Sequence, residues 1–218
     1  MNHQDDKSCP VVLLGAGGHA GVVLDALRLI GVDVAGVCDP VLSGAVASTM
    51  NLPVIDGDRL TDTHPPEHFR VANGVGMMPG QQNRRDLFHS MQTSGYRFIT
   101  VAHISSIVAD TACVGEGAQI MAGVIVQDRV TIGEQTIVNT GAQIDHGCRV
   151  GSMVHICPGA VLSGDVVIGD DAFIGAGAII INGVEIGARA VIGAGAVITR
   201  NVLDDTRIVT PASRDLAP

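Results

Sequence analysis

Tryptophan is absent from this chain, and one tyrosine and four phenylalanines stand against 28 glycines. A chain so poor in rings cannot fill its interior with them, so small and branched aliphatic side chains must pack close to the backbone. Long apolar runs are missing too. No stretch reaches the ~18 residues that would suggest a membrane span, although hydrophobic residues make up 46% of the chain, so no membrane partner is expected. Clusters of Lys and Arg do not occur and the formal net charge is −9, which argues against nucleic acid, because phosphate contacts need concentrated positive charge. Five cysteines, Cys9, Cys38, Cys113, Cys148 and Cys157, form no metal-ligand pair and are odd in number. Reduced thiols in a cytoplasmic protein are the simplest account. Residues 1–10 are polar, carry no apolar signal segment and read as a flexible terminus.

The few aromatics are unevenly spread. Phe69, Phe88, Tyr96 and Phe98 precede residue 102 and only Phe173 follows it, which marks a boundary between two domains, 11–102 and 103–203, with a tail at 204–218. Beyond that boundary an aliphatic residue falls at every sixth position from Val108 through Ile120, Ile132, Ile144, Ile156, Ile168, Ile180 and Ile192 to Ile198. Four residues after each comes a small one, such as Ala112, Ala118, Thr136, Ala142, Cys148, Ala160 or Ala190. Neither a helix nor an alternating strand repeats every six residues, whereas a parallel β-helix of hexapeptides does. Each hexapeptide makes one side of a triangular coil, and its aliphatic residue stacks inward on its counterpart one coil away. The core is thin, so the second inward position stays small. Burying one Val or Ile contributes roughly 1.5–3 kcal/mol, and the register, not any single coil, carries the stability.

The first domain opens with an apolar strand at Val11–Leu14, a turn Gly15-Ala16-Gly17-Gly18-His19-Ala20, an amphipathic segment closed by Gly31, and a second strand, Val34–Cys38, ending at Asp39. This is the start of a nucleotide-binding βαβ unit, in which glycine lets the backbone approach phosphate and the helix N-terminus offers N–H groups. Gly15, Gly17 and Ala20 also satisfy the dinucleotide pattern, with Asp39 placed for a ribose. Before the repeat, however, there is room only for short strands near 53–55, 69–72 and 97–101 and a helix over 81–92. That is a Rossmann-like half-sheet with one mononucleotide site, so a nucleotide joined to something other than a second nucleotide is favoured over NAD. His19 either orders the turn or meets the ligand. Asn83 and Arg84, at the start of the later helix, either meet the nucleotide or are solvated.

Outward positions of a β-helix are usually plain polar residues, which singles out His146 at a corner and His155 at the end of the following hexapeptide. A histidine titrates near neutral pH and suits proton transfer. Together the glycine-histidine turn, the Asn83-Arg84 helix start and the stretch Asn139-Thr140-Gly141-Ala142 to Asp145-His146 resemble the sialic acid O-acetyltransferase and nucleotide-aminosugar N-acetyltransferase family, over about residues 11–200. The resemblance implies a left-handed β-helix, a homotrimer with acetyl-CoA held between subunits, and acetyl transfer to a nucleotide-linked amino sugar in surface glycan synthesis. It further implies His146 as the general base, Asn139 at the acceptor sugar, His155 on the acetyl-CoA side, the Gly164 N–H as oxyanion donor, and Ala176 and Ala194 as small residues beneath pantetheine.

Two departures stand out. The family often places an acid directly after the histidine, where this chain has Gly147, and a Gly-x-Pro-Ala-Lys sequence near the C-terminus, where this chain reads Val209-Thr210-Pro211-Ala212-Ser213-Arg214. Cys148 should point inward and Cys157 is structural, so direct attack on the thioester is expected, with no covalent enzyme intermediate. Sugar O-acetylation, a non-catalytic binding protein, and a metal enzyme using His103, His146 and His155 are the competing readings; the first reading expects no metal.

Overall fold

The computed structural model describes residues 9–42, 46–47 and 50–210, without the side chains of 46–47. Val11–Leu14 (β1) is buried along its whole length and lies between Val34–Cys38 (β2) and Arg70–Asn73 (β5) in a parallel sheet. Single parallel bridges extend it on both sides, Val37 to Val54 and Val71 to Phe98. Continuous apolar sequence is what a central parallel strand covered on both faces requires. Gly18–Leu29 (α1) covers one face through Val23, Ala26 and Leu27, and Gly31, at φ +75°, ends it. Val46–Ala47 (β3) and Leu52–Pro53 (β4) form a small antiparallel pair. The short helix Leu60–Thr63 (α2) and the longer Asn83–Thr93 (α3) follow, the latter beginning two residues later than the sequence suggests.

From residue 101 the chain coils. Its two-residue strands form three parallel sheets, the faces of a triangular prism. The first face contains Gln119–Ile120, Ile137–Val138, His155–Ile156 and Phe173–Ile174; the second Gln143–Ile144 and Val161–Leu162; the third Arg149–Val150 and Val167–Ile168. Register advances by eighteen residues, as in Ile137 to His155 and Gln143 to Val161. Every sixth residue from Ile120 to Ile198 is buried, as is every small residue between Ala112 and Ala196 in the second inward position. Val108 and Val114 are partly buried at the open end of the same core. The fold is therefore a parallel β-helix behind a small α/β domain.

Both ends of the coil run further than the aliphatic series suggests. Val101–Ala102 already pairs with Gln119–Ile120, with Ala102 in the inward place. At the other end Arg207–Ile208 pairs with Val191–Ile192 after a corner shortened by two residues, which puts Ile208 inward and hides the strand from a six-residue count. Part of the expected tail is thus the last strand of the first face. Arg214, the possible replacement for the family lysine, lies outside the described residues, as do residues 1–8 of the expected flexible terminus.

The α/β domain sits on the first face, and the coil completes its core: Met121 joins the cluster of Val11, Leu13 and Leu27, and Met153 joins that of Val12, Phe88 and Phe98. Glu116 accepts the Phe98 N–H at 2.8 Å.

Candidate active site

The glycine turn follows directly from β1. Gly15 has φ +95°, and a Cβ there would lie 3.3 Å from Val75 Cγ2, so position 15 needs glycine for conformation and for space. Gly17 and Gly18 are exposed, and a Cβ on either would meet nothing within 4 Å. The first turn of α1 has no side-chain cap. First-turn N–H groups without a side-chain cap, beside uncrowded glycines, are the arrangement that receives phosphate. Asp39 shapes this turn from within: one carboxylate oxygen accepts the Ala16 N–H at 2.7 Å and the other the Val41 N–H at 2.8 Å. Its spare lone pairs are what remains for a ribose.

His19 points from the turn to the coil instead of lying along the turn. Its Nε2 is 2.8 Å from Gln119 Oε1, and Gln119 Nε2 donates to the Asn73 carbonyl at 2.7 Å. That chain of bonds assigns the proton to Nε2 and leaves Nδ1 as an acceptor. Burial pushes the imidazole pKa down to about 4, so the ring is neutral at pH 7. Gln119 belongs to this arrangement and sequence reading passed over it, because an outward polar residue on a coil gives no sign that another domain will cover it.

Asn83 is exposed at the start of α3, whereas Arg84 is only 2% exposed. Its guanidinium donates to the carbonyls of Gln135, Asn73 and Val75 at 2.7–3.2 Å. Arg84 is thus not solvated: it fastens the first domain to the coil because three inward-facing carbonyls draw it there. Asn73 closes the same network, donating to Gln135 Oε1 at 3.1 Å.

On the coil, His155 leaves the first face outward as its position requires, but the loop after β5 covers it, so it is 9% exposed. Nδ1–H donates to the Met77 carbonyl at 2.8 Å, and Asn139 Nδ2 approaches Nε2 at 3.3 Å. Burial lowers its pKa, leaving a neutral ring. Asn139 and the exposed Ala176 and Ala194 stand on the corners between the first and second faces. His146 stands elsewhere, exposed on the corner between the second and third faces.

At that corner the eighteen-residue register stacks Asp128, His146, Gly164 and Asn182 in one column. A Cβ on Gly164 would fall 2.7 Å from His146 Nε2 and 3.0 Å from Asn182 Nδ2, so the imidazole occupies the space that a side chain at position 164 would take. The Asp128 carboxyl is held below its usual range, first by the Thr111 hydroxyl and then by the Arg129 guanidinium beside it. Gly147, where an acid was expected, has φ +70°, and the Asp165 carboxylate fills the place its Cβ would take. An acid from the next coil therefore stands against the residue after His146. Asn182 and Asp165 were missed in the sequence, and the eighteen-residue step from His146 and Gly147 is the signal that finds them.

The thiols take no part here. Cys148 points into the coil, and burial pushes its pKa up to about 11, while Cys157 is pushed up to about 12. His103, His146 and His155 are dispersed, and among the described residues no group of three His, Cys, Asp or Glu could hold a metal ion. Among those residues no helix is long and apolar enough to cross a membrane.

Within one chain, then, the glycine turn, Asn139 and His155 lie on or beside the first face, and His146 with Gly164 occupies the opposite edge of the prism. The comparisons with known proteins agree with both halves. Residues 10–91 match the PglD N-terminal domain and residues 165–200 the bacterial transferase hexapeptide repeat. A histidine variant of perosamine N-acetyltransferase from Caulobacter crescentus, solved with CoA and GDP-perosamine, is 34% identical, with 92% of this chain and 93% of that chain covered and a TM-score of 0.84. The acetyltransferase domain of PglB from Neisseria gonorrhoeae, solved with acetyl coenzyme A, is 29% identical, with 96% and 100% covered and a TM-score of 0.83. WeeI from Acinetobacter baumannii, at 24% identity, 92% and 96% coverage and a TM-score of 0.82, shares the fold. No curated protein sequence matches the chain significantly. With the glycine turn, the hexapeptide coil and a relative of this identity over nearly its whole length, the chain belongs to the PglD-like hexapeptide-repeat family of CoA-dependent N-acetyltransferases.

Proposed function

We propose that this enzyme transfers acetyl from acetyl-CoA to the amino group of a nucleotide-linked sugar, with His146 as general base. The observation that carries the reading is the His146 imidazole in the space that a side chain at position 164 would take. Aminolysis of a thioester needs a base and a donor for the oxyanion, the two roles assigned here to His146 and the Gly164 N–H. His146 takes the proton as the amine attacks the carbonyl carbon, and the Gly164 N–H steadies the oxyanion of the tetrahedral intermediate. Collapse of that intermediate expels the CoA thiolate. The buried, neutral thiols Cys148 and Cys157 favour this direct route over an acyl-cysteine.

The nucleotide fits the turn of Gly15, Gly17 and Gly18, with diphosphate at the start of α1 and Asp39 next to it. His19 offers Nδ1 as an acceptor at the same place, and Asn139 lies on the sugar side. The small Ala176 and Ala194 leave the corner flat for pantetheine, with His155 at its edge. Because these groups and His146 occupy opposite sides of one prism, the site is completed by a second copy, which supports a homotrimer with the reaction at each subunit boundary. The donor and the glycan-precursor acceptor both suit the cytoplasm.

Release of CoA thiol with UDP-, GDP- and CMP-linked sugars, amino and non-amino, tests the reading; turnover with an amino sugar is expected, and acetylation of hydroxyls alone would overturn the amine assignment. His146→Asn should lower kcat by roughly 10²–10⁴-fold with acetyl-CoA binding intact. Near-full turnover would remove His146 from the role of base. Mixing His146→Asn chains with Gly18→Asp chains, each inactive alone, should restore activity in mixed oligomers, since one intact site can form from two damaged chains. Failure to complement in oligomers shown to be mixed would place the whole site in one chain.

A further inference from the structure

A cavity of about 310 Å³ opens between the loop after β5, the start of α3 and the lower first face of the coil. That volume is at the small end of the range for ligand sites. None of the glycine-turn residues, nor any residue of the His146 column, lines it. It lies on the corner between the third and first faces, away from Asn139, Ala176 and Ala194.

Its chemistry is lopsided. Four arginines, Arg84, Arg85, Arg189 and Arg207, line it, opposed by only two carboxylates, Asp171 and Asp205. Arg85 pairs with Asp171, and Arg189 pairs with Asp205 at 2.7 Å and with Asp204 at 3.8 Å. Two arginines are left without a carboxylate. Arg207 meets no carboxylate among the described residues, and Arg84 donates only to carbonyls while its Nη2 finds no acceptor. Burial of that uncompensated charge pulls the Arg84 pKa down to about 9, so it still carries its proton at pH 7.

The first turn of α3 lines the same cavity through Gln82, Arg84 and Arg85, and no side chain caps it. An eleven-residue helix with an open N-terminus adds a partial positive charge and free N–H groups. The remaining wall is apolar: Met77, Met153, Phe173 and Val191. Cations and N–H groups on one side with a ring and thioethers on the other suit a molecule that is itself divided in this way.

We propose that this cavity binds a phosphorylated small molecule of nucleoside monophosphate size, its phosphate held by Arg207 and the start of α3 and its flat part against Phe173 and the methionines. The ligand is separate from donor and acceptor. Its loop wall also reaches the reaction site, because Met77, which lines the cavity, holds His155 through its carbonyl.

The test is calorimetric titration of the full-length protein with AMP alone. AMP could also enter the glycine turn, so three variants separate the sites. Arg207→Glu should weaken the binding about 10- to 100-fold, the loss expected when one charge-assisted contact is reversed. Arg207→Lys should retain most of it, and Gly18→Asp, which blocks the start of α1, should leave it intact. Melting curves like the parent's establish that each variant is folded. Binding that survives Arg207→Glu, binding lost only in Gly18→Asp, or no heat with millimolar AMP would each overturn the proposal.

Discussion

The two halves of this protein are held together by opposite means. The coil is stabilised by repetition: Ile144, Leu162 and Ile180 stack on one another with no buried charge between them, and each coil resembles its neighbours. The α/β domain is held by particular polar contacts, with His19, Gln119, Asn73, Gln135 and Arg84 forming one buried network against the first face. Repetition makes the coil insensitive to changes on its outside and intolerant of any charge inside. A specific network makes the first domain sensitive to protonation and to the loss of single hydrogen bonds.

The largest difference should come from the coil interior. Ile156→Asp puts a carboxylate where nothing is exposed and no cation is in reach, at a cost of at least about 5 kcal/mol. Loss of the cooperative melt and of soluble protein is expected. A normally melting Ile156→Asp protein would mean that the register is not the source of stability.

Acid should separate the halves more gently. His19 is neutral in the fold with its pKa near 4, against 6.5 when free, and His155 is shifted in the same direction by burial. Above pH 6.5 both states carry the neutral ring and nothing is lost. As pH falls below 6.5 the unfolded chain takes up protons that the folded chain refuses, so stability declines until about pH 4 and then levels off. For His19 alone the loss is roughly 3 kcal/mol. Hydrogen exchange at pH 5 should show the first domain opening while coil amides stay protected. Equal loosening of both halves would place the acid-sensitive groups elsewhere.

The same contrast decides what could be read from the sequence. The coil was legible almost residue by residue, because its six-residue period reports burial directly. It failed only where the period itself fails, at Ala102, too small to stand out in the aliphatic series, and at the shortened corner before Arg207–Ile208. The glycine turn was legible through its run of glycines between a strand and a helix, and the exposed placement of His146 through its corner position in the repeat. What escaped was everything set by the meeting of the halves. Arg84 looks like a ligand-binding arginine until the carbonyls of Gln135 and Val75 are seen around it, and Gln119 looks like an idle surface residue until His19 covers it. Asp165 was hidden differently, since its effect on position 147 passes between coils and not along the chain.

The smallest of these effects is also the cleanest separation of chemistry from stability. Asp165 is exposed at a corner with φ +58°, a backbone conformation that Asn accepts about as well as Asp, so Asp165→Asn should melt within about 0.5 kcal/mol of the parent. Its carboxylate nevertheless fills the space in front of Gly147, the residue after His146. With His146 as the proposed base, removing that charge while keeping the shape should reduce kcat about tenfold and leave KM for acetyl-CoA unchanged. An unchanged kcat would assign the steadying of His146 to Asp128 or to a group of the adjoining subunit, and the outside of the coil would then owe its chemistry to assembly as well as to register.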